Sequence, residues 1–356
     1  MKTIPLFLIL LFASQSINAQ QRTFKCNQFQ NALKLVDEQK YDEGILMLKE
    51  CEKLDSKDYS YPYEIALSYT YKEDYNAAIS QLEKIKDYEN IEDDYFQLLG
   101  NNYDYSGNSE KALEVYNKGL QKFPNSGRLY LEKGVIYESN KQYKTAIEMY
   151  EKGIQVASTY PSNYYRVSKI YLNSKDKLSG LIYGEIFVNL ERTTERTKEI
   201  SNLLYETYKK SIVLESKEKK ELNFCKVIID TQKYEKSKKY PFCMIFGKNF
   251  IMSIIEYNKF NLNNLSAVRS RFLKEYFKED YKNYPNVLLN YQKIMEDNKI
   301  FDAYNHYIFQ MGDKEAFNTW LKTNENDYKK FVDWYTSKEN ILKIDNKNVF
   351  ISDQIK

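Results

Sequence analysis

Apolar and polar positions along this chain follow the spacing of α-helices, and the helices recur with a fixed period. Small residues stand at Ala32, Ala66, Gly100, Gly134 and Ser168, each 34 residues after the one before. Three residues beyond each comes Leu35, Tyr69, Tyr103, Tyr137 or Tyr171. A second small series follows at Gly44, Ala78, Ala112, Ala146 and Gly180, and behind it stand Leu48, Leu82, Tyr116, Tyr150 and Gly184. Matched small positions let two helices approach closely, and large residues three or four positions away fill the space around them. Each period therefore predicts a helix pair, and self-similarity at this interval predicts a solenoid of such pairs over residues 20–194.

Beyond residue 194 the pattern loosens but keeps helical spacing. Ile200, Leu203, Leu204, Tyr208 and Ile212 share one face, and the stretch Leu222 to Ile229 is apolar enough for another buried helix. Two charge runs, Lys217 to Glu221 and Lys233 to Lys239, read as solvated faces or loops. Leu288, Tyr291, Ile294 and Met295, then Ile300, Tyr304, Tyr307 and Ile308, predict short amphipathic helices. Phe317-x-x-Trp320 and Phe331-x-x-Trp334 predict two more in succession. This assigns 195–236 to a degenerate repeat or connecting helices and 237–356 to a C-terminal helical domain or cap.

The first residues stand apart. Lys2 precedes the apolar run Leu6 to Ala13, which is shorter than the roughly 20 residues needed to span a bilayer. Ile17-Asn18-Ala19 then offers a cleavage site, so residues 1–19 read as a secretory signal peptide. Cys26 lies too far from the apolar run for a lipoprotein signal. No later segment is apolar enough to cross a membrane, so the expected product is exported, periplasmic or secreted, with no transmembrane segment after signal cleavage.

Composition narrows the chemistry. Hydrophobic residues make up 42% and charged residues 29%, enough for a sizeable core. Lys+Arg 53 against Asp+Glu 50 gives a net charge of +3, less than a nucleic-acid binder usually carries. A single histidine, His306, leaves almost no material for triads, zinc sites or imidazole acid–base pairs. Its environment of tyrosines favours a structural role, and nothing in the sequence links it to Cys243 as a nucleophile pair. The acidic cluster Asp87, Glu89, Glu92, Asp93 and Asp94 lacks the ligand alternation and turn glycine of a calcium loop. Arg269 and Arg271 could grip a phosphate but have no Gly-rich cradle. No cofactor or metal is implied.

Four cysteines in an exported chain form an even set with two local pairs. In the first repeat, the helix holding Cys26 rises to a turn near Gln39 and Lys40, and the helix holding Cys51 returns beside it. The two cysteines are about equally far from that turn, which predicts a disulfide. The same expectation extends to Cys225 and Cys243, though no hairpin geometry is legible between them.

The segment Phe96-x-x-Leu99-Gly100-x-x-Tyr103, then Ala112-x-x-x-Tyr116, then Pro124, resembles the tetratricopeptide repeat family. The next copy keeps Tyr130, Gly134, Tyr137, Tyr143, Ala146 and Tyr150, with Lys133 in place of the leucine. The resemblance runs from about Lys25 to Thr194. It implies an all-α fold, a right-handed α-solenoid of helix-turn-helix repeats followed by a C-terminal helical region. It also implies a non-catalytic scaffold for protein–protein interaction that holds a peptide or partner protein in a concave groove.

Carried over repeat by repeat, the family's binding face falls on Tyr63 and Tyr71, on Gln97, Asn101, Asp104 and Tyr105, on Arg128, Leu131 and Glu138, and on Tyr165, Arg166 and Lys169. Phe29 and Leu33 occupy the positions where a family member that clamps a terminal carboxylate would begin with lysine and asparagine. An internal peptide segment is therefore expected instead. With Tyr 34 in the chain, a glycan-binding or cell-envelope adaptor using exposed tyrosines is the alternative. A hydrolase with its site in the C-terminal region is a third reading.

Overall fold

The computed structural model describes residues 24–214, 219–226, 235 and 239–355. The signal peptide read over residues 1–19 lies outside the described residues, as do parts of both charge runs and the end of the apolar stretch 222–229. The chain divides into two units, Met1–Ile91 and Glu92–Lys356. The fold class is all-α: helix-turn-helix repeats followed by further helices.

The first unit holds two helix pairs, α1 (Phe29–Asp37) with α2 (Tyr41–Leu54) and α3 (Ser60–Tyr71) with α4 (Tyr75–Glu83). Phe29, Ala32, Val36, Ile45, Leu48, Tyr61 and Ile65 form its core. Cys26 and Cys51 are bonded within that core, with Cα atoms 5.1 Å apart.

The second unit begins with three more pairs: α5 (Asp93–Tyr105) and α6 (Ser109–Lys122), α7 (Gly127–Ser139) and α8 (Tyr143–Val156), and α9 (Pro161–Leu172) and α10 (Lys177–Leu190). In α6 the buried residues Ala112, Val115, Tyr116 and Gly119 recur every three or four positions. That is the stripe by which an amphipathic helix faces a core. The carboxylate or amide of Asp74, Asn108 and Asp176 caps α4, α6 and α10 by accepting the amide N–H of Ala77, Lys111 and Ser179.

The turn inside each of the first four pairs is the same. Gln39, Glu73, Gly107 and Lys141, 34 residues apart, all have positive φ, from 58° to 87°. In each turn the amide of the next residue bonds back five positions, as from Asn108 to the carbonyl of Tyr103 and from Gln142 to that of Tyr137. This left-handed step ends the first helix and aims the chain back along it. Lys299, φ 58°, makes the same turn much later in the chain, with Ile300 donating to Met295.

After α11 (Glu195–Ser211) the chain leaves the helical pattern. Ile212–Leu214 and Lys220–Leu222 form a two-stranded antiparallel hairpin with Ile212 opposite Leu222. This corrects the helical reading of Ile212 and of the stretch beginning at Leu222. β-Branched Ile212 and Val213 favour the extended form. Phe224 is held in the core as its carbonyl accepts from the amides of Lys177 and Leu178, and Cys225 is bonded to Cys243.

Further along, the described residues form the helices α12 (Phe242–Ile254), α13 (Leu262–Glu279), α14 (Val287–Asp297), α15 (Phe301–Phe309), α16 (Lys314–Thr323) and α17 (Glu325–Thr336). Past Thr336 the chain is a strap with two short 3-10 turns, not an α-helix. The strap lies on the repeats. Ser158 donates to the carbonyl of Ile344, Tyr171 to the hydroxyl of Ser352, and the Ser352 amide to Glu151. One core runs from Leu131 through α10 to Ile355. In α10 every residue from Leu178 to Asn189 is buried, as expected of a helix apolar all round and covered on all sides.

Candidate functional site

In the first two pairs of the second unit, the first helix receives a polar group from its own partner helix. Gly100 has no side chain, and the ring of Tyr116 fills the place where a Cβ would stand; Tyr150 does the same over Gly134. Passing beside glycine, the tyrosine hydroxyls emerge on the first helices: Tyr116 donates to Asn101 Oδ1 at 2.5 Å, and Tyr150 to Glu138 Oε2 at 2.5 Å. Burial pushes both hydroxyls well above their ordinary pKa, so they stay protonated donors.

Polar groups link each first helix to the next. Gln97 donates to Glu132 at 2.6 Å, and Arg128 lies 3.7 Å from Asp93, which also accepts from Ser126. Arg166 lies 3.7 Å from Glu138. Lys169 and Tyr165 both reach Glu199 of α11, at 2.7 and 2.5 Å. Burial raises the pKa of Glu132 against the bonds from Gln97 and Asn101 that hold it down. Burial also raises Asp94, whose Oδ1 meets no partner among the described residues. Burial pulls Lys169 down, but Glu199 and Tyr165 hold it above its ordinary value.

Eight residues read from the sequence as a binding face, Gln97, Asn101, Asp104, Arg128, Glu138, Tyr165, Arg166 and Lys169, thus sit along α5, α7 and α9. All are half-buried and bonded. Tyr105 is more than half exposed at the end of α5. Leu131 is a correction: it is buried in the main core, because the neighbouring repeat covers that position. In the first unit, Tyr71 is exposed with its ring stacked on Tyr41, 6.0 Å between centroids, and half-buried Tyr63 packs edge-on against Tyr59.

A family model of the tetratricopeptide repeat matches residues 127–160, the span of α7, α8 and the Gly134–Tyr150 contact. The repeats are tetratricopeptide (TPR) repeats. No curated protein matches the chain. Among solved structures it is similar to MamA from Desulfovibrio magneticus RS-1, with 17% identity over 49% of this chain and 98% of that one, TM-score 0.38. It is also similar to the C-terminal part of a TPR repeat-containing protein from Cytophaga hutchinsonii, with 14% identity over 89% and 100%, TM-score 0.41. A third is YrrB, described as a TPR protein with an unusual peptide-binding site, with 15% identity over 50% and 92%, TM-score 0.34.

Outside the TPR face, the other chemical candidates are bound up in structure. His306 is buried and stacked on Trp320 at 4.1 Å, with Nδ1 against the carbonyl of Asp302 and Nε2 against Asn263 Oδ1, both at 2.9 Å. Cys243 is in a disulfide and offers no thiolate. Arg269 is not free to grip phosphate, since it is buried against Glu185, and Arg271 pairs with Glu256 at 3.0 Å. Asp93 and Asp94 form the first turn of α5. Among the described residues no group of three or more His, Cys, Asp or Glu could hold a metal ion, and no helix is long and apolar enough to cross a membrane.

Sequence reasoning missed a cleft of about 1120 Å³ beside α14 and the strap. Its walls come from three segments far apart in the chain and outside the 34-residue period. The paired Phe-x-x-Trp motifs gave the only signal, because Trp320 is buried while Trp334 lines the cleft.

Proposed function

We propose that the chain is an exported, non-catalytic scaffold that holds an internal segment of a partner protein against the first helices of its TPR repeats. The observation that carries this reading is the loose pairing of Arg128 and Arg166. Each guanidinium is 3.7 Å from its carboxylate, with side chains 37% and 38% exposed. Half-exposed ion pairs of this kind contribute about 0–1 kcal/mol. A partner's acidic groups can therefore replace Asp93 or Glu138 at little cost.

The leader read at residues 1–19 and two disulfides support export, since disulfides persist in oxidising compartments. A non-catalytic role is supported by a sole histidine and four cysteines that all serve the core. The test is affinity for an isolated partner. Arg128→Glu with Arg166→Glu weakens binding and leaves the melting temperature nearly unchanged; equal affinity of variant and parent rejects this face.

A further inference from the structure

The cleft beside α14 has a chemical character of its own. Tyr291 forms part of its floor, fixed by donation to the carbonyl of Asn340 at 2.8 Å. Trp334 tilts over it with ring centroids 5.8 Å apart. Trp334 is half-buried, and its indole N–H makes no hydrogen bond among the described residues.

Two amides flank these rings. Asn290 accepts from Tyr281 on its oxygen, at 3.2 Å, which leaves its NH2 group to donate. Asn340 gives its NH2 group to the carbonyl of Trp334, at 3.0 Å, which leaves its oxygen to accept. Lys343 and Lys347 stand exposed at the rim, in no ion pair among the described residues.

We propose that this cleft binds an acidic oligosaccharide. A sugar ring lays its C–H face on Trp334, which combines an apolar body with a polar N–H. Sugar hydroxyls need both donors and acceptors, and Asn290 and Asn340 in the lining supply one of each. A sugar carboxylate is drawn to Lys343 and Lys347, which with Lys239 outnumber the two carboxylates of the lining, Glu339 and Asp353. The volume lies just above the range of about 300–1,000 Å³ usual for small-ligand sites, as suits several linked sugar rings. No strand borders the cleft among the described residues, so it lacks the sheet edge by which an extended peptide is commonly held.

Titration calorimetry on the full chain tests the proposal with oligogalacturonate, with neutral cellohexaose and with an oligoglutamate peptide. Oligogalacturonate is expected to bind and to perturb the fluorescence of Trp334, whereas Trp320 is shielded by His306. Trp334→Ala should weaken binding by about tenfold, the worth of one stacked ring. Lys343→Gln with Lys347→Gln should weaken it and flatten its salt dependence. Trp334→Phe, which keeps the packing, should retain part of the affinity, and near-ultraviolet circular dichroism verifies the fold of each variant. Failure of oligogalacturonate to bind overturns the proposal, as does binding that survives Trp334→Ala. Equal binding of oligoglutamate would reduce the site to lysine charge, and equal binding of cellohexaose would remove the acidic requirement; either contradicts it. Arg128→Glu with Arg166→Glu should leave sugar binding unchanged, which separates this site from the TPR face.

Discussion

Arg269 reaches both carboxylate oxygens of Glu185, at 2.6 and 2.8 Å, in a place almost closed to water. Glu185 Oε1 also accepts from Gln292 at 2.6 Å and Tyr304 at 2.8 Å, while Arg269 donates to Asn305 at 2.5 Å. One carboxylate on α10 thereby joins the last repeat to α13, α14 and α15. Burial pushes the nearby Tyr208 hydroxyl up to about 12, so the acid meets no competing anion there.

Removing one partner would strand the other as a buried charge. Glu185→Ala should cost about 3–5 kcal/mol in urea unfolding. Replacing Glu185 and Arg269 together with methionine should recover much of the loss, because a well-packed apolar pair avoids the desolvation of two ions.

The glycine under each tyrosine supports a second expectation. A methyl group at Gly100 or Gly134 would fall inside the ring of Tyr116 or Tyr150. Gly100→Ala should destabilise by about 1–3 kcal/mol, the range for overpacking. Thermal unfolding measures this, and Gly100→Ala combined with Tyr116→Ala should show coupling between the two sites.

Lys141 sits in the left-handed region that Gly107 occupies in the preceding repeat. Lys141→Gly should therefore be neutral or stabilising. Gly107→Ala should lose roughly 1 kcal/mol from backbone strain alone, since a Cβ there meets nothing within 4 Å. Denaturation midpoints of the two variants check the opposite signs.

His306 gives a pH signature. Burial holds its pKa below 6.5, against the opposing pull of Asp302. In that window the unfolded chain binds the proton and the folded chain does not. Its contribution to stability is thus complete above about pH 6.5 and is lost as pH falls through the lower folded value. Urea midpoints of the parent should drop below those of His306→Gln, relative to their difference at pH 7.5, as pH falls toward 5.

The repeats were legible because each uses the same few letters at the same interval, and Gly100 with Tyr116 had to be both regular and close. The matching turn at Lys299 was not. Seven residues before it stands Gln292 and five after it Tyr304, where the repeats carry small residues, because this helix pair turns those positions to Glu185. Glu185 was itself a readable signal, the one charge in the buried run Leu178 to Asn189. Leu131 misled because its helical position faces outward within one repeat but is covered by the next. The cleft left no periodic trace, since α14, Trp334 and the strap meet only through tertiary packing.

Site-specific photo-cross-linking tests the central claim most directly. A photoreactive phenylalanine at Tyr165 on the first-helix face is compared with one at Lys118 and one at Glu148, both exposed on second helices. The account predicts that a partner protein is captured from Tyr165 and not from the other two positions. Capture from Lys118 or Glu148 with none from Tyr165 would contradict it.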